Sequence, residues 1–240
     1  MWTERTELLL GKKAVSDLKE SSVAVIGCGG VGGFAAEMLA RAGVGRLIVV
    51  DNDTVSETNI NRQLLALTST VGRPKSAVLK DRLTDINPSI DVVCIEEYLN
   101  EDNIPYILGA GKSGKIDFLV DAIDTLSPKI ALIQFCLSEG IPMVSSMGSG
   151  AKMDVTKIHI ADISKTFQCP LAHMLRKRLH KLGIRSGFLT VFSEELPVRE
   201  SLVLEESRNK KSQVGSISYL PAVFGCACAQ AAIQHIASLE

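Results

Sequence analysis

The sequence predicts an α/β protein built on a Rossmann-like, mostly parallel sheet that helices cover on both faces. Short apolar runs alternate with helical segments, a glycine-rich turn follows the first run, and aspartates follow later runs. Continuous β-branched runs of this kind are typical of strands that are buried on both faces of a parallel sheet. The pattern holds over residues 21–150, which we expect to form a nucleotide-binding core.

The elements follow one another in a regular order. Residues 5–19 predict one amphipathic helix from the spacing of their leucines, alanine and valine. The predicted strands are residues 23–26, 47–50, 91–95, 116–120 and 141–145, and the predicted helices are residues 34–42, 74–87 and 128–138. Pro74 suits the first turn of its helix, because the N–H that proline lacks has no helical partner there.

The alternation weakens beyond residue 150. Residues 158–160 and 188–192 predict short strands, residues 171–182 a basic helix, and residues 194–213 a mobile surface loop. The apolar segment 219–233 is interrupted by proline and glutamine and is shorter than the ~20 residues that span a bilayer. We therefore expect no membrane insertion but a helix in the core or in a subunit interface, with residues 151–240 forming a substrate-side and dimerisation extension of a single domain 1–240.

Composition excludes few functions. The 240 residues include 26 basic and 27 acidic side chains, so a basic surface for nucleic acid has to be local. The six cysteines (Cys28, Cys94, Cys136, Cys169, Cys226 and Cys228) form no CxxC pair, which argues against a structural zinc site. Residues 1–7 are polar and predict no secretory signal, so we expect a cytoplasmic protein with reduced thiols.

A phosphate-binding loop follows the first predicted strand. Its glycines (Gly27, Gly29, Gly30 and Gly32) allow a tight turn and a close approach to an anion at the start of a helix. Asp51 ends the next strand, where a carboxylate binds ribose hydroxyl groups. These features fit NAD, FAD and ATP, and taken alone they favour a dehydrogenase.

Further polar residues favour ATP. Adenylyl transfer needs cations on the triphosphate and a carboxylate for Mg²⁺, because negative charge moves to the leaving pyrophosphate. Arg62 and Lys75 are candidates for the cations and Asp124 for the metal ligand, whereas hydride transfer uses none of them. Each residue alone is more typical of a solvated surface or a helix cap, but their order behind the glycine loop is far more specific.

This order resembles the ubiquitin-activating-like superfamily along nearly the whole chain. The resemblance implies that Asp51 binds ribose, that Asp124 holds Mg²⁺, and that Arg5 is donated across a homodimer interface to the neighbouring subunit's ATP. It further implies that Arg62 and Lys75 act in catalysis. The implied ATP pocket includes these polar residues: Asp53, Asn59, Arg62, Gln63, Lys75 and Asp121.

Within the superfamily, the chain resembles the tRNA threonylcarbamoyladenosine dehydratases. Four segments carry this resemblance: residues 121–129, 165–171, 191–197 and 215–222. The resemblance implies ATP-dependent adenylation of the carboxylate of that nucleoside beside the anticodon, followed by ring closure with loss of water. The group that closes the ring is already in the same side chain, and this proximity makes an enzyme nucleophile unnecessary.

Substrate contacts are expected from basic residues of the second half. The candidates are Lys129, Lys165, Arg176, Arg178 and Lys181, and Arg185 adds to the basic segment. Phosphate groups of tRNA favour such a patch, although a solvated helix face explains it equally well.

Three alternatives remain open. Cys169 stands where the resemblance implies an aspartate, so a thioester role is conceivable beside a plain substitution. The chain could instead adenylate the C-terminal glycine of a ubiquitin-like sulfur carrier, and sulfur-relay proteins are conceivable partners. A nucleotide-binding scaffold without turnover is the third reading.

Overall fold

The computed structural model describes residues 2–109, 114–204 and 212–239. A seven-stranded sheet with the order β3-β2-β1-β4-β5-β7-β6 forms its centre. The strands are β1 (Ser22–Ile26), β2 (Arg46–Val50), β3 (Asp91–Ile95), β4 (Phe118–Asp121), β5 (Met143–Ser146), β6 (Ile158–Asp162) and β7 (Leu189–Ser193). All neighbours are parallel except β6, which pairs antiparallel with β7. The predicted fold class is confirmed.

Helices cover both faces of the sheet. They are α1 (Glu4–Leu10), α2 (Lys12–Glu20), α3 (Gly32–Ala42), α4 (Lys75–Ile86), α5 (Ile104–Leu108), α6 (Leu126–Glu139), α7 (Pro170–Lys181) and α8 (Tyr219–Ile236). Alternate residues of β1 enter two separate cores: Val23 and Val25 pack in the core with α3 and α8, and Ala24 and Ile26 in the core with α5, α6 and α7. This two-sided burial explains why β1 reads as a continuous apolar run.

The N-terminal segment differs from its prediction. Residues 5–19 were expected to form one helix, but Gly11 separates α1 from α2 with a φ of +86°, outside the helical region. Leu8 and Leu9 of α1 do not join the core, since they are 82% and 83% exposed, whereas Leu10 packs against it. The single-helix prediction is therefore wrong, and α1 presents an apolar surface to solvent.

The apolar helix α8 belongs to the core. Leu220, Phe224 and Cys228 are fully buried in the core that also contains α3. The two helices approach so closely that a Cβ on Gly225 would lie 2.4 Å from the carbonyl oxygen of Val31. Among the described residues, no helix combines the length and the apolar character needed to cross a membrane.

Two further differences concern short elements. Helix α5 was not predicted, because its five residues are too few to show a helical period. The loop predicted at 194–213 overlaps two short strands that pair antiparallel, β8 (Leu202–Leu204) and β9 (Ser212–Val214). The prediction that this loop is mobile stays a prediction, and residues 205–211 lie outside the described part of the chain.

Candidate active site

The glycine loop lies between the ends of β1 and β4, where the strand order reverses direction. Gly27 has a φ of +91°, and a Cβ there would lie 2.9 Å from the carbonyl oxygen of Ala122. A Cβ on Gly32 would lie 1.7 Å from the carbonyl oxygen of Gly27. The fold itself therefore requires these two glycines. Crevices outside the carboxyl ends of strands at such a reversal are the usual ligand sites of open α/β sheets.

Gly29 is different, because the protein leaves room for a side chain there. The nearest atom to a Cβ on Gly29 is the Nε2 of Gln63 at 3.8 Å, an ordinary contact distance. The space beside Gly29 is thus a cradle that a methyl group would begin to fill. Gln63 is buried, and its Oε1 has no hydrogen-bond partner within the described structure. A buried amide oxygen without a partner is costly, so this wall fits an incoming donor such as a nucleotide hydroxyl or amino group.

Helix α3 begins at the glycine loop without a side-chain cap. The backbone N–H of Gly33 donates to the carbonyl oxygen of Gly29 at 3.0 Å, but the other N–H groups of the first turn have no acceptor within the helix. The helix dipole adds positive potential at this end. An anionic group bound here gains both interactions. The loop and α3 together fit the phosphates of a nucleotide.

Asp51 holds the end of β2 against this loop. Its Oδ2 accepts from the backbone N–H of Cys28 at 2.6 Å, and its Oδ1 accepts from that of Asp53 at 2.8 Å. Burial raises the pKa of Asp51, and the nearby Lys75 ammonium opposes the shift only in part. The carboxylate thus ties the nucleotide loop to β2 at the position expected for ribose recognition.

Lys75 starts α4 with its ammonium held at the same edge. Its Nζ donates to Asp53 Oδ2 at 2.8 Å, and the side chain of Lys75 is 6% exposed while that of Asp53 is 62% exposed. The Lys75 ammonium is therefore nearly buried, whereas the carboxylate that it contacts is open to solvent. Since an ammonium has three donors, Lys75 can hold Asp53 and still meet a phosphate.

Arg62 and Asn59 lie on the segment after β2. The Nη1 of Arg62 donates to the carbonyl oxygen of Thr58 and to Asn61 Oδ1, both at 2.9 Å. The Cγ of Arg62 would lie 3.6 Å from a Cβ on Gly30, which places this side chain beside the glycine loop. The Oδ1 of Asn59 accepts from the backbone N–H of Ser56 and so caps its own short 3-10 helix.

Asp121 and Lys129 require a correction. They were predicted to contact the nucleotide and the substrate, but both side chains are fully buried and pair with each other at 2.7 Å. The Lys129 Nζ also donates to Ser145 Oγ and to the carbonyl oxygen of Ser146, both at 3.0 Å. The ammonium thus has three acceptors and no exposed surface, so this pair joins α6 to β4 and β5 rather than binding a ligand.

Asp124 lies exposed in the turn between β4 and α6, beside the reversal of strand order. Within the described ranges, no group of three or more histidine, cysteine, aspartate or glutamate side chains is arranged to hold a metal. A metal at this site would therefore take few ligands from the protein. Mg²⁺ commonly binds in this way, through one or two carboxylates together with phosphates and water.

Arg5 is exposed on α1. Thr3, just before α1, packs against Gly43 at the end of α3 that is remote from the glycine loop. An 11-residue helix is about 16 Å long, so α1 begins far from the glycine loop of its own chain.

The predicted substrate residues separate into two groups. Lys165, Arg178 and Lys181 are exposed on or near α7. Arg176 is half-buried and donates to the carbonyl oxygen of Thr166 at 2.8 Å, so part of its role is to hold the segment before α7. Cys169 is buried at the start of α7, which leaves its thiol little access to a substrate.

Lys152 was missed by sequence reasoning. It follows β5 and is buried, with its Nζ 3.2 Å from the carbonyl oxygen of Ser193. Burial lowers the pKa of Lys152, and the nearby Cys169 and Glu195 oppose the shift. A lysine next to a glycine-rich turn usually reads as a surface residue, so the sequence carries no signal of this burial.

The chain is similar to known proteins over most of its length. The model of the ThiF family matches residues 4–240. The tRNA threonylcarbamoyladenosine dehydratase of Bacillus subtilis (strain 168) is 44% identical over 229 residues, which are 92% of this chain and 89% of that relative.

A solved structure extends the likeness to three dimensions. The crystal structure of the Escherichia coli tRNA N6-threonylcarbamoyladenosine dehydratase in complex with ATP superposes with a TM-score of 0.88 at 34% identity, covering 98% of this chain and 93% of that one. The molybdopterin-synthase adenylyltransferase of Escherichia coli (strain K12) is 32% identical over 152 residues, 63% of this chain and 59% of that relative.

Proposed function

The chain belongs to the ThiF family, and from this premise we propose that it is an ATP-dependent enzyme that cyclises threonylcarbamoyladenosine in tRNA with loss of water. The observation that carries the proposal is the near-full-length similarity to the Bacillus subtilis dehydratase. The open space beside Gly29 and the nearly buried Lys75, both at the carboxyl end of the parallel strands, support it.

The reaction activates a carboxylate of the substrate. Bound ATP supplies the adenylyl group, and pyrophosphate and then AMP leave. Gly27–Gly32 and the start of α3 hold phosphate groups, Asp51 holds the ribose, and Gln63 forms the wall. Lys75 and Arg62 stabilise the negative charge that develops on the leaving group. Ring closure follows without an enzyme nucleophile, which agrees with the burial of Cys169.

Asp124 would hold Mg²⁺, whose charge neutralises the phosphates. An Asp124→Asn variant keeps the shape of the side chain but weakens its metal binding. We expect it to need a higher Mg²⁺ concentration for half-maximal activity. An identical Mg²⁺ dependence in both proteins would remove Asp124 from this role.

The proposal includes a homodimer in which Arg5 serves the partner's site. The exposed leucines of α1, and the uncharged exposed side chains Tyr219, Cys226 and Gln230 of α8, supply surfaces for it. Mixing subunits tests this arrangement. Arg5→Ala and Lys75→Met homodimers should both be inactive, but their heterodimer has one intact site and should regain part of the activity. If Arg5 acts within its own chain, mixing restores nothing.

The two halves of the chain divide the work. Residues 21–150 bind the nucleotide, and residues 151–240 provide the substrate side, with Lys165, Arg178 and Lys181 near the tRNA. The same proposal places the protein in the cytoplasm with its tRNA. Sulfur-relay proteins are further candidate partners.

Analysis of the reaction product tests the function. Purified protein is incubated with ATP, Mg²⁺ and tRNA that carries threonylcarbamoyladenosine, and the digested nucleosides are weighed by mass spectrometry. We expect a nucleoside lighter by one water and stoichiometric AMP. Unmodified tRNA serves as the control and should release no AMP.

A second candidate is adenylation of the C-terminal glycine of a ubiquitin-like sulfur carrier. The likeness to molybdopterin-synthase adenylyltransferase favours it, whereas the lack of any CxxC pair and the higher identity to the dehydratase weigh against it. If such a carrier is adenylated and the modified tRNA is not, the first proposal fails. If neither reacts, the chain is a nucleotide-binding scaffold.

A further inference from the structure

Three aromatic rings form a cluster at the β6 edge of the sheet. The centroid of the Phe167 ring lies 5.4 Å from that of Phe192 and 5.8 Å from that of His159, and the last two are 5.3 Å apart. Phe192 is buried in the core, whereas Phe167 remains 45% exposed. Rings at these distances hold one another in defined orientations. Phe167 is therefore an exposed apolar ring on a rigid support.

The backbone around Phe167 is fixed as well. The Oγ1 of Thr166 donates to the carbonyl oxygen of Ile163 at 2.8 Å, and Arg176 donates to the carbonyl oxygen of Thr166. Gln168 has a φ of +54°, a strained conformation for a residue with a side chain. Such strain persists where the surrounding structure imposes it, and it is frequent at functional sites. The ring is thus presented in one position before any partner arrives.

Positive charge is concentrated in the chain segment that carries this ring. Residues 163–193 contain no aspartate or glutamate but include Lys165, Arg176, Lys177, Arg178, Lys181 and Arg185. The whole chain, by contrast, carries a formal charge of −1. Two acidic residues that flank the segment are already engaged, since Asp162 accepts from the backbone N–H groups of Ser164 and Gly187 at 2.8 Å and Glu194 pairs with His159 at 3.0 Å. The surface around Phe167 therefore suits a polyanion that also has apolar faces.

The cluster and the nucleotide loop both lie at the carboxyl end of the parallel strands. His159 is paired with Phe192 next to the carboxyl end of β7. β7 is two strands away from β4, and β6 is three strands away. With strands roughly 5 Å apart, this corresponds to about 10–15 Å. One loop of RNA can span that distance and touch both places.

We propose that the Phe167 ring is a stacking platform for an unpaired base of the tRNA anticodon loop, with the basic residues of 165–185 on the neighbouring phosphates. The inference rests on the proposed function, because it takes tRNA as the substrate. Single-stranded RNA is recognised by stacking its bases on aromatic side chains and by cations along its backbone. The platform positions the loop while the target nucleoside reaches the nucleotide site.

Variants of Phe167 separate stacking from simple packing. Phe167→Ala removes the ring, and Phe167→Leu keeps apolar contact with His159 and Phe192 but has no aromatic face. Tyr98→Ala is the matched control, because Tyr98 is 46% exposed on the loop after β3, at the opposite edge of the sheet. The dissociation constant for modified tRNA should rise about tenfold in both Phe167 variants. It should stay unchanged in Tyr98→Ala, and ATP binding should stay unchanged in all three.

A fluorescence measurement reads the stacking directly. The chain has a single tryptophan, Trp2, so Phe167→Trp in a Trp2→Phe background carries one reporter at the platform. Its emission should be quenched when tRNA binds, with an affinity close to that of the unmodified protein. Unquenched emission on binding, or unchanged affinity in Phe167→Ala and Phe167→Leu, overturns the platform. So does a loss of affinity in these variants for a ubiquitin-like carrier but not for tRNA.

Binding and turnover keep the two proposals distinguishable. If all Phe167 variants bind tRNA with equal affinity and still form the cyclised nucleoside, the platform is refuted and the function stays intact. Quenching by tRNA without any cyclised product would support the platform and refute the function.

Discussion

Two aspartate–lysine pairs lie at the carboxyl end of the parallel strands, and they differ in whether a ligand can reach them. After β2, Lys75 donates to Asp53 at 2.8 Å, and after β4, Lys129 donates to Asp121 at 2.7 Å. The second pair is fully buried, whereas Asp53 is 62% exposed. The β4 pair is closed to any ligand, and the β2 pair is open to one.

The hydrogen bonds explain the difference. Lys129 uses its three donors on Asp121, Ser145 and Ser146. In the described part of the chain, the acceptor found for the Lys75 ammonium is Asp53, so two of its donors stay available. Residue type alone does not reveal a role; the number of donors still available does.

The largest effect that we expect is on stability, in a Lys129→Met variant. Removing one partner of a buried pair leaves an uncompensated charge and costs about 3–5 kcal/mol. Urea unfolding of Lys129→Met should show this loss. Lys75→Met is the matched control and should lose under ~1 kcal/mol, because its partner is solvated. Equal losses in the two variants would erase the distinction between the pairs.

The converse experiment measures activity. Lys75→Met should lower the rate constant of nucleoside cyclisation by about 10²–10³-fold, the usual effect of losing one stabilising donor. Lys80→Met, on the exposed side of the same helix, should react at the normal rate. A Lys75→Met enzyme that keeps most of its activity would show that the open pair is no more catalytic than the closed one.

The glycine loop offers a third contrast. Gly29→Ala should fold normally, since no atom lies nearer than 3.8 Å to the new methyl group, but it should raise the KM for ATP about tenfold, or ~1.4 kcal/mol. Gly148→Ala, after β5, also has room for the methyl group, since the nearest atom is the Cβ of Leu171 at 4.0 Å, and this variant should leave that KM unchanged. Unfolding curves and ATP saturation curves check both. Equal KM values would place the nucleotide away from Gly29.

The smallest effect concerns the thiols. Burial raises the pKa of Cys136 and of Cys228 to about 12, so neither is a thiolate near neutral pH. Cys169 is buried as well, and Cys169→Ser should change the cyclisation rate by less than about twofold. Single-turnover kinetics measures this rate. A strong loss would instead make Cys169 a nucleophile and revive the thioester route.

The fold was largely predictable because its signals are local. Continuous apolar runs define β1 and β2, and close contacts of Gly27 and Gly32 explain their spacing. Partnerships between distant residues were not predictable. The role of Lys129 depends on Ser145, which another strand brings beside it, and the burial of Lys152 depends on the end of β7. Gly11 was visible in the sequence, but a glycine inside an amphipathic pattern does not by itself predict that the helix ends there.

Exchange of labelled pyrophosphate into ATP tests the central claim most directly. The claim is that the site with the open Asp53–Lys75 pair, after β2, catalyses transfer of an adenylyl group to a tRNA nucleoside. We expect exchange in the unmodified protein and in Lys80→Met when tRNA carrying threonylcarbamoyladenosine is present. We expect none without that tRNA and almost none in Lys75→Met. Exchange that proceeds without the modified tRNA, or at a normal rate in Lys75→Met, would contradict the account.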